Sequence, residues 1–462
     1  MCMRRATMVG GFVCLVLTGC GPDGAGGGDT SSVRMDTSQG DGDDLPDTGE
    51  DVGADVAFDG GFDAGADTES HDVGDTGKRA DVRPDGDAGG TKLFRLFAAV
   101  QTGMNSSKYA VAEVGDGQVG ARGLLAESTY GSGDIAVDSS DGRVFVLNRR
   151  CSGPAGSSMC MAKSGEVIEV SLDGNSMFAV DATFEQGSGA YNPQGVGYVK
   201  SKSPQAYFVS SYFDSKVFVH HETRKSHSKS YDTAPFDAGA TMTDDDPEVS
   251  DIVVDGDYVL VNLQRLSGFM PKKKSALAVI DTKNETFLDF DTNTTELDPL
   301  TLPAKNSFAG LKWTGGGNLA VGMTGGFGMQ DGQIAIIERK SAGDYSVGNT
   351  VVTEMELGGD INGFAMVSDT EGYALVSSSS GGSFSTKLKH FTSGASGATV
   401  KTISAIENAS GAICMTPDRS QVWVADGDTA HAGLWGVDTA SNGIVNSKAL
   451  DFGGTVRSCV VK

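Results

Sequence analysis

Ile135-Ala136-Val137-Asp138-Ser139-Ser140-Asp141-Gly142-Arg143-Val144-Phe145-Val146-Leu147 is the most informative stretch of this 462-residue chain. An apolar run, a tight turn ending Asp-Gly and a second apolar run spell two strands of a hairpin. The same phrase returns as Val196-Gly197-Tyr198-Val199 with Tyr207-Phe208-Val209, and as Ile252-Val253-Val254 with Tyr258-Val259-Leu260-Val261. Leu311-Lys312-Trp313 with Leu319-Ala320-Val321 is the fourth copy, and Phe364-Ala365-Met366-Val367 with Tyr373-Ala374-Leu375-Val376 the fifth. The sixth is Ile413-Cys414-Met415-Thr416 with Val422-Trp423-Val424. First strands begin at 135, 196, 252, 311, 364 and 413, so the spacings are 61, 56, 59, 53 and 49 residues. Each unit has room for four short strands, and a third is legible at Val167–Val170, Val217–Val219, Leu277–Ile280 and Ile334–Ile337.

A long period with four strands per unit is the signature of a β-propeller. Helical periodicity is absent, and 65 glycines suit an all-β chain with many turns. The ends supply a seventh unit. Thr455 to Val461 repeats the first-strand phrase with nothing after it, while Leu93 to Val100 reads as a second strand without a first, with a third at Tyr109–Val114. The C-terminal strand therefore completes the N-terminal blade and closes the ring, leaving no long unpaired edge. Residues 91–462 are read as seven four-stranded blades, with six or eight as the alternative counts.

Val137-Asp138-Ser139-Ser140-Asp141-Gly142-Arg143-Val144-Phe145-Val146 and Met415-Thr416-Pro417-Asp418-Arg419-Ser420-Gln421-Val422-Trp423-Val424 resemble the repeat of YVTN-type propellers. The likeness to this YVTN/NHL, lactonase-like group covers most of 91–462 in degenerate copies. It implies the fold and says little of function, since propellers host enzymes and binding proteins alike.

The first twenty residues follow a different logic. Arg4 and Arg5 precede a short apolar core, Phe12 to Leu17, which ends Leu17-Thr18-Gly19-Cys20. This is a secretory signal pattern, too short to span a bilayer. Its ending resembles the lipobox of bacterial lipoproteins, a family in which the cysteine is lipidated and the signal (here 1–19) removed before it. An ordinary signal peptide is the alternative. Gly21 after the cysteine lacks the aspartate-type retention signal, so the resemblance implies a lipid-anchored protein of the outer membrane or cell surface. Residues 21–90 hold 19 acidic and four basic side chains, leaving a net charge of −12 of the total −25 on residues 91–462. Such a segment buries too little apolar surface to order itself and reads as a disordered tether from Cys20 to residue 90, reaching about 45 Å or more. No basic stripe is present, which excludes nucleic acid as the expected partner. The ring is read as a monomer.

Four cysteines follow Cys20, an even set for an oxidising compartment. Cys151 and Cys160 flank a Gly/Ser-rich loop that a local bridge would rigidify. Cys414 and Cys459 occupy matching first-strand positions in neighbouring blades. A bridge there would latch the closing strand; the alternative is two buried thiols on strands too far apart. His220 and His221 precede Arg224, Lys225, His227 and Lys229, and adjacent strand residues face opposite ways, so a solvated hairpin tip is expected there and at Lys272–Lys274. Asp244-Asp245-Asp246 with Glu248 reads as an acidic turn or a rim calcium site.

No hydrolase elbow, zinc helix or phosphate loop occurs at a credible place. Residues entering the first strands, Asp134, Gln194, Asp251, Asn362 and Arg457, are expected around one mouth of the central channel. Gluconolactonase-type propellers hold a divalent metal at such a mouth. By that likeness Ca²⁺ or Mg²⁺ would polarise a lactone carbonyl there; strand-end capping is the alternative. The favoured reading is a non-enzymatic module, needing no cofactor, that binds or scaffolds an extracellular or periplasmic protein or glycan. A metal-dependent lactonase-like hydrolase is the second. Tyr191, Tyr212, Phe213 and Phe327 are the loop aromatics available for contact.

Overall fold

A computed structural model describes residues 7–9 and 12–14, and residues 93–462 except 104–105, 116–120, 131–134, 150–164, 172–178, 186–191, 213–214, 222–226, 238–246, 268–269, 381–382 and 428–432. The chain divides into two compact units, Met1–Ala88 and Gly89–Lys462. In the first, β1 (Thr7–Val9) pairs antiparallel with β2 (Phe12–Cys14); Cys20 and the acidic tract lie outside the described residues. No described helix is long and apolar enough to cross a membrane.

The second unit is a seven-bladed β-propeller. Blade 1 takes β3 (Leu93–Gly103), β4 (Ser106–Gly115) and β5 (Ala121–Tyr130), and blade 2 takes β6 (Ile135–Ser140), β7 (Arg143–Asn148), β8 (Glu166–Ser171) and β9 (Ala179–Glu185). Blade 3 is β10 (Pro193–Val199), β11 (Ala206–Ser211), β12 (Lys216–His221) and β13 (Lys229–Asp232). Blade 4 is built on β14 (Val249–Asp255), β15 (Tyr258–Leu263) and β18 (Lys274–Asp281), with a small hairpin, β16 (Leu266–Ser267) and β17 (Met270–Pro271), between the last two. Its outer edge is split between β19 (Thr286–Phe287) and β20 (Leu300–Lys305), both paired with β18. The split follows from the Asp/Asn/Thr-rich segment between them, where Asp291 Oδ1 accepts from Asn293 N at 3.1 Å and Asp289 Oδ1 from Asp298 N at 3.2 Å, turning the chain away from the ladder.

Blade 5 is β21 (Gly310–Trp313), β22 (Leu319–Met323), β23 (Gln333–Ser341) and β24 (Asp344–Thr353). The single-turn α1 (Glu354–Leu357), held by a Thr353–Glu356 capping box, leads to blade 6: β25 (Asp360–Met366), β26 (Glu371–Ser380), β27 (Ser383–Gly394) and β28 (Gly397–Thr402). Among the described residues blade 7 has three strands, β29 (Ala409–Met415), β30 (Gln421–Asp426) and β31 (Gly433–Asp438). The expected fourth is reduced to isolated bridges at Leu434–Leu450 and Val437–Ile444. Asn446 takes its place, accepting from Gly436 N at 2.8 Å and donating to the Leu434 carbonyl at 3.3 Å. Finally β32 (Thr455–Val461) pairs with β3, Phe97 opposite Val460 and Ala98 opposite Cys459, and closes the ring as expected.

Each sheet is covered on both faces, which is why the middle strands read as unbroken apolar runs. In β7, Val144 and Val146 pack toward blade 1 and Phe145 and Leu147 toward blade 3, as a side-chain period of two requires. Seven separate apolar cores result, one per junction between neighbouring blades. The β6–β7 turn has Asp141 and Gly142 at φ 47° and 83°, the left-handed pair of a tight hairpin. Cys414 and Cys459 are bridged, with Cα atoms 5.7 Å apart, so the latch between blades 7 and 1 forms. Cys151 and Cys160 lie outside the described residues.

Candidate functional site

The first strand of each blade faces the channel with no sheet neighbour, which leaves its outward N–H groups to be satisfied by other means. Side chains of the preceding blade do so at several junctions. Ser458 Oγ accepts from Val137 N at 2.7 Å, Asp138 Oδ2 from Val196 N at 2.9 Å and Ser140 Oγ from Tyr198 N at 2.9 Å. Asp251 Oδ2 accepts from Leu311 N at 2.8 Å, and its Oδ1 from Ile252 N at 2.9 Å. Gly310 is required by this contact, since an added Cβ would stand 2.6 Å from Asp251 Oδ2 at a left-handed φ of 81°.

Of the residues expected at the channel mouth, Asp134 lies outside the described residues. The other four sit within first strands rather than ahead of them. Gln194 Nε2 donates to Asn192 at 2.7 Å, Asn362 to Ser377 Oγ, and Arg457 Nε to Gln101 Oε1 at 2.8 Å. Asp251 is occupied by the two backbone donors named above. No group of three or more metal-ligating His, Cys, Asp or Glu side chains occurs among the described residues. Sequence reasoning missed Asp138. Burial and then the neighbouring Asp251 push its carboxyl up to about 6, against the pull of the Val196 N–H and Lys312. Burial likewise raises Asp251, opposed chiefly by Lys312. Both acids are half-buried side chains of first strands.

Two outer surfaces carry further features. First strands run from one mouth, here the upper, to the lower, so the connections into first strands and those between second and third strands form the upper rim. Nine large apolar side chains are well exposed among the described residues, and six of them, Met270, Phe308, Phe327, Met329, Met355 and Phe384, belong to the upper ends of blades 4 to 6. Phe327, anticipated as a contact aromatic, meets Phe308 edge-on with ring centroids 6.3 Å apart. Tyr212 is half-buried and donates to Gln264 at 3.0 Å, while Tyr191 and Phe213 lie outside the described residues. On the lower side a cavity of about 610 Å³ opens between blades 1 and 2, lined by Leu93, Phe97, Arg143, Glu169 and Lys462 among others. Its charged wall is tied down: Arg143 Nη1 meets Glu169 at 2.7 Å and Tyr207 Oη at 2.6 Å, and the guanidinium lies 3.8 Å above the Tyr198 ring.

The histidine segment corrects an expectation. His220 is fully buried, because β12 is an interior strand, and its ring lies 6.2 Å from that of His227. Lys229 meets Glu285 at 3.0 Å and Lys273 meets the buried Asp237 at 3.3 Å, so neither run is simply solvated. Glu248 accepts from Leu266 N at 2.7 Å, and Asp244–Asp246 lie outside the described residues.

No family model and no curated protein matches the chain. Solved structures do. A putative 6-phosphogluconolactonase from Bacteroides fragilis is similar at 12% identity and a TM-score of 0.51, over 80% of this chain and 98% of that one. A functionally unknown protein from Desulfotomaculum acetoxidans is similar at 13% identity and a TM-score of 0.45, over 79% and 98%. AztD from Citrobacter koseri is similar at 11% identity and a TM-score of 0.41, over 80% and 98%. At 12% identity the likeness to the first of these bears on the fold alone.

Proposed function

We propose that this chain is a lipid-anchored extracytoplasmic lipoprotein whose propeller binds a protein through the upper rim of blades 4 to 6. The observation that carries this reading is the gathering of six exposed large apolar side chains at one end of three adjacent blades. Apolar side chains scattered singly over a surface need no explanation, whereas their concentration on one rim marks a contact surface. Lactone hydrolysis at the channel mouth has less support. The carboxylates there are engaged by backbone N–H groups that hold the first strands together.

Photo-crosslinking in intact cells tests the binding site. A crosslinker replacing Met355 or Phe384 should trap a partner, while one replacing Leu297 or Val347, exposed away from the rim, should not. Equal labelling at all four positions, or none at the rim, overturns the reading. The anchor is tested separately: Cys20→Ser should move the chain from the membrane to the soluble fraction, and an unchanged distribution would remove the lipid from the proposal.

A further inference from the structure

The loop Gly325-Gly326-Phe327-Gly328-Met329-Gln330-Asp331-Gly332 joins β22 to β23 at the centre of the apolar rim. Four glycines in eight residues would ordinarily make such a loop floppy, yet its backbone is pinned at five N–H groups. Gly325 N donates to the Lys305 carbonyl at 3.0 Å and Met329 N to the Gly326 carbonyl at 2.9 Å. Three carboxylates do the rest: Asp331 accepts from Gly326 N at 2.7 Å, Asp360 from Gly328 N at 2.7 Å and Glu354 from Gly332 N at 2.9 Å. Glu354 also accepts from Ile361 N at 2.7 Å, tying the loop to the first strand of blade 6. Gly332 is demanded by this arrangement, since a Cβ there would stand 2.2 Å from the Met323 carbonyl oxygen and 2.6 Å from the Glu354 carboxyl carbon.

The product is an apolar tip held out into water. Phe327 is 48% exposed and Met329 71%. A fold gains nothing by ordering a loop in order to expose its two largest apolar side chains; a recognition surface does, because ordering beforehand lowers the entropy lost on binding. An aromatic anchor beside an adaptable methionine also suits a protein contact.

The charge beneath the tip narrows the partner. Asp331 is exposed, Asp360 half-buried and Glu354 fully buried. No Lys or Arg among the described residues pairs with any of the three, and Asp360 Oδ1 is buried without a hydrogen-bond partner. Lys389, from the neighbouring β27, donates instead to the Leu357 carbonyl. Burial and then the two aspartates push Glu354 up to about 8, and burial and Asp331 raise Asp360. An approaching cation relieves this repulsion, and an approaching anion adds to it.

We propose that the Gly325–Gly332 loop is the central contact of the rim and that its occupant is a protein segment bearing basic side chains beside apolar anchors. This rests on the rim-binding reading above and specifies its partner. The test is fluorescence anisotropy of the full-length chain with three labelled peptides: an amphipathic Leu/Lys helix, its Leu/Glu counterpart and a Ser/Lys sequence. The Leu/Lys peptide is expected to bind tightest. Phe327→Ser with Met329→Ser should weaken it about tenfold or more, and Asp331→Asn a few fold with a flatter salt dependence. Both substituted tip residues are exposed, so an unchanged melting temperature confirms that the loss is not unfolding. Binding that survives the tip substitutions is adsorption to acidic surface elsewhere, and overturns the proposal. Binding of the Leu/Glu peptide as tightly as the Leu/Lys one leaves an apolar rim contact but overturns the basic partner. No binding by any peptide also overturns it. Crosslinking at Met355 or Phe384 without any at Phe327 would sink the loop's role while the broader rim reading stands.

Discussion

Asp138 and Glu354 are single carboxyls on which both folding and pH response turn. Each is raised in the folded chain, Asp138 from 3.8 to about 6 and Glu354 from 4.5 to about 8. In the interval between the two values the folded chain keeps a proton that the unfolded chain has released, so stability is greatest below the interval and falls as pH rises through it. Glu354→Gln holds the neutral form at every pH. We expect the variant to lose about 4 kcal/mol less stability than the parent between pH 5 and 9, measured by urea unfolding at each pH. Parallel curves would show that Glu354 does not titrate in this range. Asp138→Asn keeps an oxygen for the Val196 N–H and should flatten the fall between about pH 4 and 6 in the same way. Neither residue was legible as special from the sequence. Asp138 reads there as an ordinary strand-end acid, and its neighbour Asp251 lies 113 residues away along the chain. Only ring closure brings the two into one field.

At the scale of the element, the hairpins were legible and the edges were not. The Asp141-Gly142 turn and the apolar runs around it are local, and the observed β6 and β7 contain the runs read from the sequence. Gly142 has open space around it, so Gly142→Val isolates the backbone term. At φ 83° it should cost about 1–2 kcal/mol by thermal or urea unfolding, without altering crosslinking at the rim. The split outer edge of blade 4 and the missing fourth strand of blade 7 escaped the reading, because side chains of Asp289, Asp291 and Asn446 compete there with the ladder. The recognition loop was half-seen. Phe327 stood out as a loop aromatic, but Phe308, Met329 and the three supporting acids come from separate segments that only the blade geometry assembles.

At the scale of the whole molecule, the ring was legible because its evidence is a period, and periods survive degenerate copies. The Cys414–Cys459 bridge was one of two open readings; matching positions in adjacent first strands turned out to lie within bonding distance. The bridge spans 45 residues, for which loop-closure entropy implies about 4 kcal/mol. Cys414→Ala with Cys459→Ala should therefore lower stability by about that amount, or somewhat less, in urea unfolding, and should let a protease trim β32 first. Unchanged protection of β32 would show that sheet pairing alone holds it. The pairing of β3 with β32 also imposes an order in time. The outer strands of blade 1 are made before the other six blades and its innermost strand after them, so β3 waits with an open edge while those six form. A chain cut short anywhere after blade 2 carries that open edge permanently. Completion of the ring thus serves as the molecule's own check that its seventh blade has been made.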